Sequence, residues 1–141
     1  MSRDRVADVA LLLLRVVAGW MFFQSGTIKL FGWWGGMPGG GTVHPVSQIW
    51  IGAVLETIGG LAIALGLFTR PVAFILSGEM AVAYWQYHAP RGGWPVQNQG
   101  QPAVLYCFLF LYLAARGAGR WSLDAWLRPS RTAVPKAADR L

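Results

Sequence analysis

Three ionisable residues stand inside long apolar stretches of this 141-residue chain: Arg15, Glu56 and Glu79. Deep in hydrocarbon each would cost about 3 kcal/mol or more unless paired, so such residues mark a site. At about 1.5 Å per helical residue, Glu79 stands roughly 13 Å beyond Arg70 and Glu56 roughly 13 Å beyond Ser47. In a hydrocarbon core about 30 Å thick, both carboxylates are expected near the midplane. Arg15 is expected roughly 10 Å in from Asp8, with a side chain long enough to bridge the remainder. The spacing predicts a buried Arg15–Glu56–Glu79 cluster. Two carboxylates beside one arginine leave room for a shared proton, which suits proton-coupled chemistry. The same cluster also reads as a structural ion-pair network that fixes helix register.

Helical spacing supports that convergence. Arg15, Gly19, Phe22, Gly26 and Lys29 fall in one stripe, and Gly52, Glu56, Gly59, Gly60 and Ile63 in another. Small residues on such faces allow close helix approach. Glu79 shares its face with Ile75, Ala83 and Gln86. Lys29 lies near the end of the first apolar stretch, where it is expected to snorkel to the interface or to meet an anion. Tyr84, Trp85, Gln86, Tyr87 and His88 close the third stretch, near segments carrying Trp33, Trp34, His44 and Trp94. Aromatic walls of this kind suit the flat ring of a quinone, with His88 or Gln86 meeting a carbonyl oxygen. They equally describe an interfacial aromatic belt. With two histidines at unrelated positions and one cysteine, no metal site and no disulfide is expected. Cys107 reads as an inert core thiol, and no phosphate-binding loop or nucleophile triad occurs.

The elements that must position these residues are four apolar stretches: Val9 to Phe31, Ile49 to Phe68, Pro71 to Tyr87 and Ala103 to Ala115. A bilayer span needs about 20 helical residues. The first two stretches fit, the third just fits, and the fourth is short unless Arg116 snorkels. Almost no polar stripe interrupts them, as a soluble bundle would require. GWWGGMPGGGTVHPVS from Gly32 to Ser47 and APRGGWPVQNQGQ from Ala89 to Gln101 break the helices. GLFTRP from Gly66 to Pro71 makes a tight antiparallel turn, with Pro71 suited to open the next helix. After the fourth stretch, Ser122 can cap a short interfacial helix carrying Leu123, Trp126 and Leu127.

Composition agrees. Hydrophobic residues make up 55% and charged residues 13%, about half the charge usual in a soluble domain. Of 12 lysines and arginines, nine fall on one side of a four-span arrangement, Arg91 alone lies opposite, and Arg15 and Lys29 lie within the first helix. By the positive-inside rule, both termini are expected in the cytoplasm. The net charge of +6 is then an orientation signal and an attraction to anionic lipid, not a nucleic-acid footprint. The expected fold class is all-α: a polytopic membrane protein built as an antiparallel four-transmembrane-helix bundle over residues 1–127, with a basic tail over 128–141. Arg3 and Arg5 before the first stretch give it the look of a signal peptide, but its length favours an uncleaved helix.

LLLLRVVAGWMFFQSGTIKLFG, ETIGGLAIALGLFTRPVAF, SGEMAVAYWQYHAPRGGWP and GRWSLD, in that order, resemble the DoxX family over roughly Leu11 to Trp126. The resemblance implies small four-helix proteins of the bacterial inner membrane. Related DoxD-type proteins are membrane subunits of thiosulfate:quinone oxidoreductase, and others belong to thiol and oxidative-stress redox complexes. Arg15, Gln24, Gly26 and Lys29 match the pattern in helix one, Glu56, Gly59 and Gly60 that in helix two, and Glu79, His88 and Pro90 that in helix three. Ser25 stands where many relatives have histidine, and Asn98 to Gln101 reads NQGQ where they have NGGE.

The resemblance and the residues together point to a membrane subunit of a quinone- or thiol-linked redox system. It would carry no intrinsic cofactor, bind a quinone, and take electrons from a partner protein. Arg15, Glu56 and Glu79 are its candidate reacting groups, and Gln24, Lys29, Trp85, Gln86 and His88 its candidate ligand contacts. A non-catalytic assembly subunit is one alternative. A small proton-coupled transporter, working as a homo-oligomer, is the other.

Overall fold

The computed structural model describes residues 2–128, and within them every regular element is helical. The helices are α1 (Arg3–Phe31), α2 (Gln48–Leu65), α3 (Thr69–Ala83), α4 (Gln101–Arg116) and α5 (Leu123–Leu127). A π-helical turn, Tyr84–His88, prolongs α3 and runs into a short 3-10 turn, Ala89–Arg91. Apart from Arg128, the tail expected over 128–141 lies outside the described residues.

Local chemistry sets the boundaries. α1 stops at Gly32, which takes the left-handed conformation at φ 69° and donates its N–H to Ile28 O. Ser47 caps α2 by accepting from Trp50 N, and Gly66 ends that helix at φ 70°. α3 starts differently. Its cap position is Phe68, left-handed at φ 47°, and the first donors, Phe68 N and Thr69 N, are satisfied from across the chain. Asp124 accepts from Phe68 N at 2.7 Å and from Thr69 N at 2.9 Å. Asp124 N donates in turn to Gly66 O at 2.8 Å, and Ser122 caps α5 by accepting from Ala125 N. The segment after α4 therefore clasps the α2–α3 turn.

Two close antiparallel pairs form the body. α1 meets α2 through glycines: a Cβ on Gly19 would stand 2.5 Å from Gly60 O, and one on Gly60 2.5 Å from Phe23 N. α3 meets α4 where Ser77 Oγ donates to Cys107 O at 2.8 Å. Aromatic rings join the pairs. Phe22 of α1 sits edge-on to Tyr106 and Phe110 of α4, at centroid separations of 4.8 and 4.6 Å. Leu11, Phe22, Ile63, Leu76, Phe110 and Leu113 make the buried core.

The outer faces remain apolar. Leu13, Val17, Ile58, Phe74, Leu105 and Phe108 are all exposed. A soluble monomer does not present contiguous greasy surface on this scale, whereas hydrocarbon covers it at no cost. By length and composition, α1 and α2 can each cross a membrane; α4 is a shorter apolar helix.

Candidate functional site

Glu56 is buried, and Lys29 reaches both of its carboxylate oxygens, at 2.6 and 2.7 Å. Ser25 Oγ donates to Glu56 Oε2 at 3.2 Å. One turn separates Ser25 from Lys29, so both project from the same face of α1. The close α1–α2 contact at Gly19 and Gly26 brings that face against Glu56. Lys29 thus turns inward instead of snorkelling.

The expected Arg15–Glu56–Glu79 cluster does not form. Arg15 is almost fully buried, at 1% exposure, but it stands near the middle of α1 and reaches away from Glu56, its Nη2 donating to Trp121 O at 2.7 Å. Its guanidinium fills the space above Gly66, where a Cβ would collide with it. The cause is the direction of helical side chains, whose Cα–Cβ bonds tilt toward the helix N-terminus. On α1 that tilt carries Arg15 away from the midplane and carries Lys29 toward it. On antiparallel α2 the same tilt carries Glu56 toward Lys29.

Glu56 and Glu79 do share a site. Both line a cavity of about 670 Å³ together with Ser25, Lys29, Gln48, Tyr87, His88 and Tyr106. Its remaining wall is apolar, including Phe22, Ile51, Leu55, Ile75 and Met80. Glu79 Oε2 is shielded and has no hydrogen-bond partner among the described residues. Gly52 leaves room for this carboxyl, since a Cβ there would stand 3.0 Å from Glu79 Oε1. A buried polar atom without a partner is costly. A carboxyl group can satisfy a ligand either by accepting, when ionised, or by donating, when protonated.

The π-helical turn supplies the rim. Extra residues inside a helix re-aim the side chains that follow, and such turns are common at functional sites. Here Tyr87 and His88 face the cavity. His88 Nδ1 lies 3.1 Å from Asn98 O. A carbonyl only accepts, so Nδ1 is the donor in this contact. Asn98 is itself fixed, donating to Gly92 O and accepting from Gly100 N.

The other candidate contacts fare unequally. Gln86 hydrogen-bonds Gln48, a cavity residue, without lining the cavity itself. Trp85 is exposed and stands edge-on to Tyr84, away from the cavity. Gln24 does not line it either. Tyr87 was among the expected aromatic walls; Ser25, Gln48 and Tyr106 are the members that spacing alone passed over. Ser25 could have been found from its position four residues before Lys29. Among the described residues no group of histidine, cysteine and carboxylate side chains could hold a metal ion.

The DoxX family model matches residues 10–89. The chain belongs to the DoxX family. That stretch contains Lys29, Glu56, Glu79 and His88, and so most of the polar cavity residues. Two proteins of Haemophilus influenzae, each described as uncharacterized, are similar to this chain. One is 41% identical over 117 residues, covering 81% of this chain and 87% of its own. The other is 31% identical over 129 residues, covering 86% and 85%. No solved structure matches. As a DoxX protein with apolar-faced helices, the chain is a membrane protein.

Proposed function

We propose that this DoxX protein is a membrane subunit of a redox system, binding a quinone or a similar lipophilic carbonyl compound in its polar cavity. One observation carries this reading: an apolar-walled cavity into which a lysine–carboxylate pair and an unpartnered carboxyl oxygen project. Four helices then cross the bacterial inner membrane, with α3 lengthened by its π-helical turn. The arginines before α1, in the first turn of α3 and after α4 support a cytoplasmic position for both termini.

The residues fit such a ligand. The cavity volume of about 670 Å³ lies within the range of roughly 300–1,000 Å³ usual for small-molecule sites. Phe22, Ile51, Leu55 and Ile75 offer apolar contact, while Lys29, Glu79 and Tyr106 offer polar atoms to ring oxygens. A bound quinone would supply reversible uptake of electrons and protons, the electrons coming from a partner protein. The chain's own part is to orient the ring, exclude water and hold a proton at Glu79. Lys29 and Glu56 cancel each other's charge, so an uncharged head group meets no net charge from the pair.

Extraction of the purified protein tests the reading. Quinone is expected at fixed stoichiometry in the wild type, and at strongly reduced occupancy in Glu79→Leu. Absence of quinone, with no effect of the chain on quinone reduction in membranes, would refute it. Partners co-purifying without any lipophilic ligand would instead favour an assembly subunit. A pH-driven flux in proteoliposomes would favour a transporter.

A further inference from the structure

We propose that the groove between α1 and α4 holds the apolar tail of the ligand whose head group occupies the polar cavity, with Tyr106 and Met21 forming a hinged seam between them. This rests on the reading of the cavity as a lipophilic-ligand site, and adds where such a ligand comes from and what shape it has.

The groove has a volume of about 530 Å³ and carries no charged residue; Leu13, Val17, Leu105 and Leu109 form its walls. Met21, Pro102 and Tyr106 line both it and the polar cavity, so the two spaces are neighbours across those side chains. The Tyr106 ring is held from behind by Phe22 and by stacking on Phe110 at 5.7 Å. Its hydroxyl donates to Met21 Sδ at 3.4 Å. A thioether is a weak acceptor, and methionine is the most adaptable apolar side chain. A ligand oxygen would replace that partner with a better one. Parting the seam therefore exchanges a weak hydrogen bond for a stronger one.

A tail gains little free energy by leaving lipid for an apolar groove, because acyl chains are as apolar as leucine. The groove consequently sets position and not affinity. It lets the head enter sideways from the bilayer and stay beside Glu79 while the tail remains in hydrocarbon. The occupant is accordingly a molecule with one uncharged, oxygen-bearing ring and one long isoprenoid or alkyl chain. A transmembrane helix laid in the groove would cover it without using the adjoining polar cavity.

The test places the full chain in phospholipid vesicles with a polyisoprenoid benzoquinone bearing a diazirine on its tail. After photolysis, adducts are mapped by peptide mass spectrometry. Ile58 and Phe74 serve as references, since they are as exposed as Leu105 but lie outside the groove. Adducts at Leu13, Val17, Leu105 and Leu109 are expected to exceed those at the references severalfold. A tail-less benzoquinone should compete them away, and Leu105→Trp should lower them to reference level while Ile58→Trp leaves them unchanged. Both positions are exposed, so the larger ring is accommodated without disturbing the core. Adducts that simply follow exposure, and are indifferent to Leu105→Trp, would overturn the proposal. A phospholipid with the same diazirine in its acyl chain separates the two readings. Groove-selective phospholipid adducts, unaffected by the tail-less quinone, would uphold the tail groove while refuting the quinone head group.

Discussion

Replacing Lys29 by methionine tests the reasoning about the buried ion pair most directly. Glu56 would keep its place, buried at 4% exposure, with only the longer Ser25 hydrogen bond left to it. Breaking a buried pair from one side costs about 3–5 kcal/mol, because the surviving charge has no partner. The Lys29 side chain retains 30% exposure, so part of the pair's environment is already hydrated, and Lys29→Met is expected near the lower bound of about 3 kcal/mol. The reverse truncation should be milder. Without Glu56, the lysine can extend toward the nearby end of α1, which puts Glu56→Leu at about 1 kcal/mol. The double variant leaves two apolar side chains of similar volume and should also cost only about 1 kcal/mol. A double-mutant cycle should then give a coupling of about 3 kcal/mol. Reversible unfolding in mixed micelles, followed by tryptophan fluorescence, measures all four proteins. Additivity across the cycle would refute the pairing and the inward direction of Lys29, and equal single-variant costs would refute the cheaper escape of the unpaired lysine.

The clasp formed by α5 gives two more expectations. Asp124→Ala removes the acceptor from Phe68 N and Thr69 N and should cost about 1–2 kcal/mol, as loss of a helix cap does, visible as a lower midpoint of thermal unfolding. Gly66→Ala meets a left-handed φ of 70° and the Arg15 guanidinium together. It should cost more than the roughly 1 kcal/mol of the backbone strain alone, and restoring space with Arg15→Ala should recover little, since Trp121 O then loses its donor.

How far could the sequence foresee this site? Glycine and proline mark several helix ends, because their backbone chemistry acts locally: Gly32 and Gly66 stop α1 and α2, and Pro102 sits in the first turn of α4. Glu56 and Glu79 are visible as carboxylates amid apolar residues, and they do meet at one cavity. Arg15 departs from the expected cluster because depth along the helix axis does not include the tilt of its side chain toward the helix N-terminus. An arginine and a lysine fourteen residues apart on α1 lie roughly 21 Å apart along the helix, and only one of them can serve a single carboxylate on α2. Gly19 and Gly26, matched to Gly60 and Ala53, already encode which. Other features are not local at all. Nothing in YWQYH distinguishes a π-helical turn from the α-helix before it, and the cap of α3 comes from a residue 55 positions later.

The cavity itself follows from an imbalance between seams. Where glycines face each other, as between α1 and α2, backbones approach until a single added Cβ would overlap the partner chain. Where aromatic rings face each other, as between α1 and α4, the helices must stand further apart to seat Phe22, Tyr106 and Phe110. Helix axes separate by about 8–10 Å according to the side chains at the contact. The tight seam brings Lys29 to Glu56; the wide seam leaves space beside them and a groove leading outward from it. Polar chemistry and lipid access are therefore set by different residues on one helix. The glycine stripe of α1 governs the ion pair, and the Phe22–Met21 side of the same helix governs what can reach it. Substitutions at Leu105 should consequently alter access without altering the Lys29–Glu56 coupling, whereas Gly26→Ala should weaken the coupling by pushing α1 away from Ala53 O, which an added Cβ would approach to 2.5 Å.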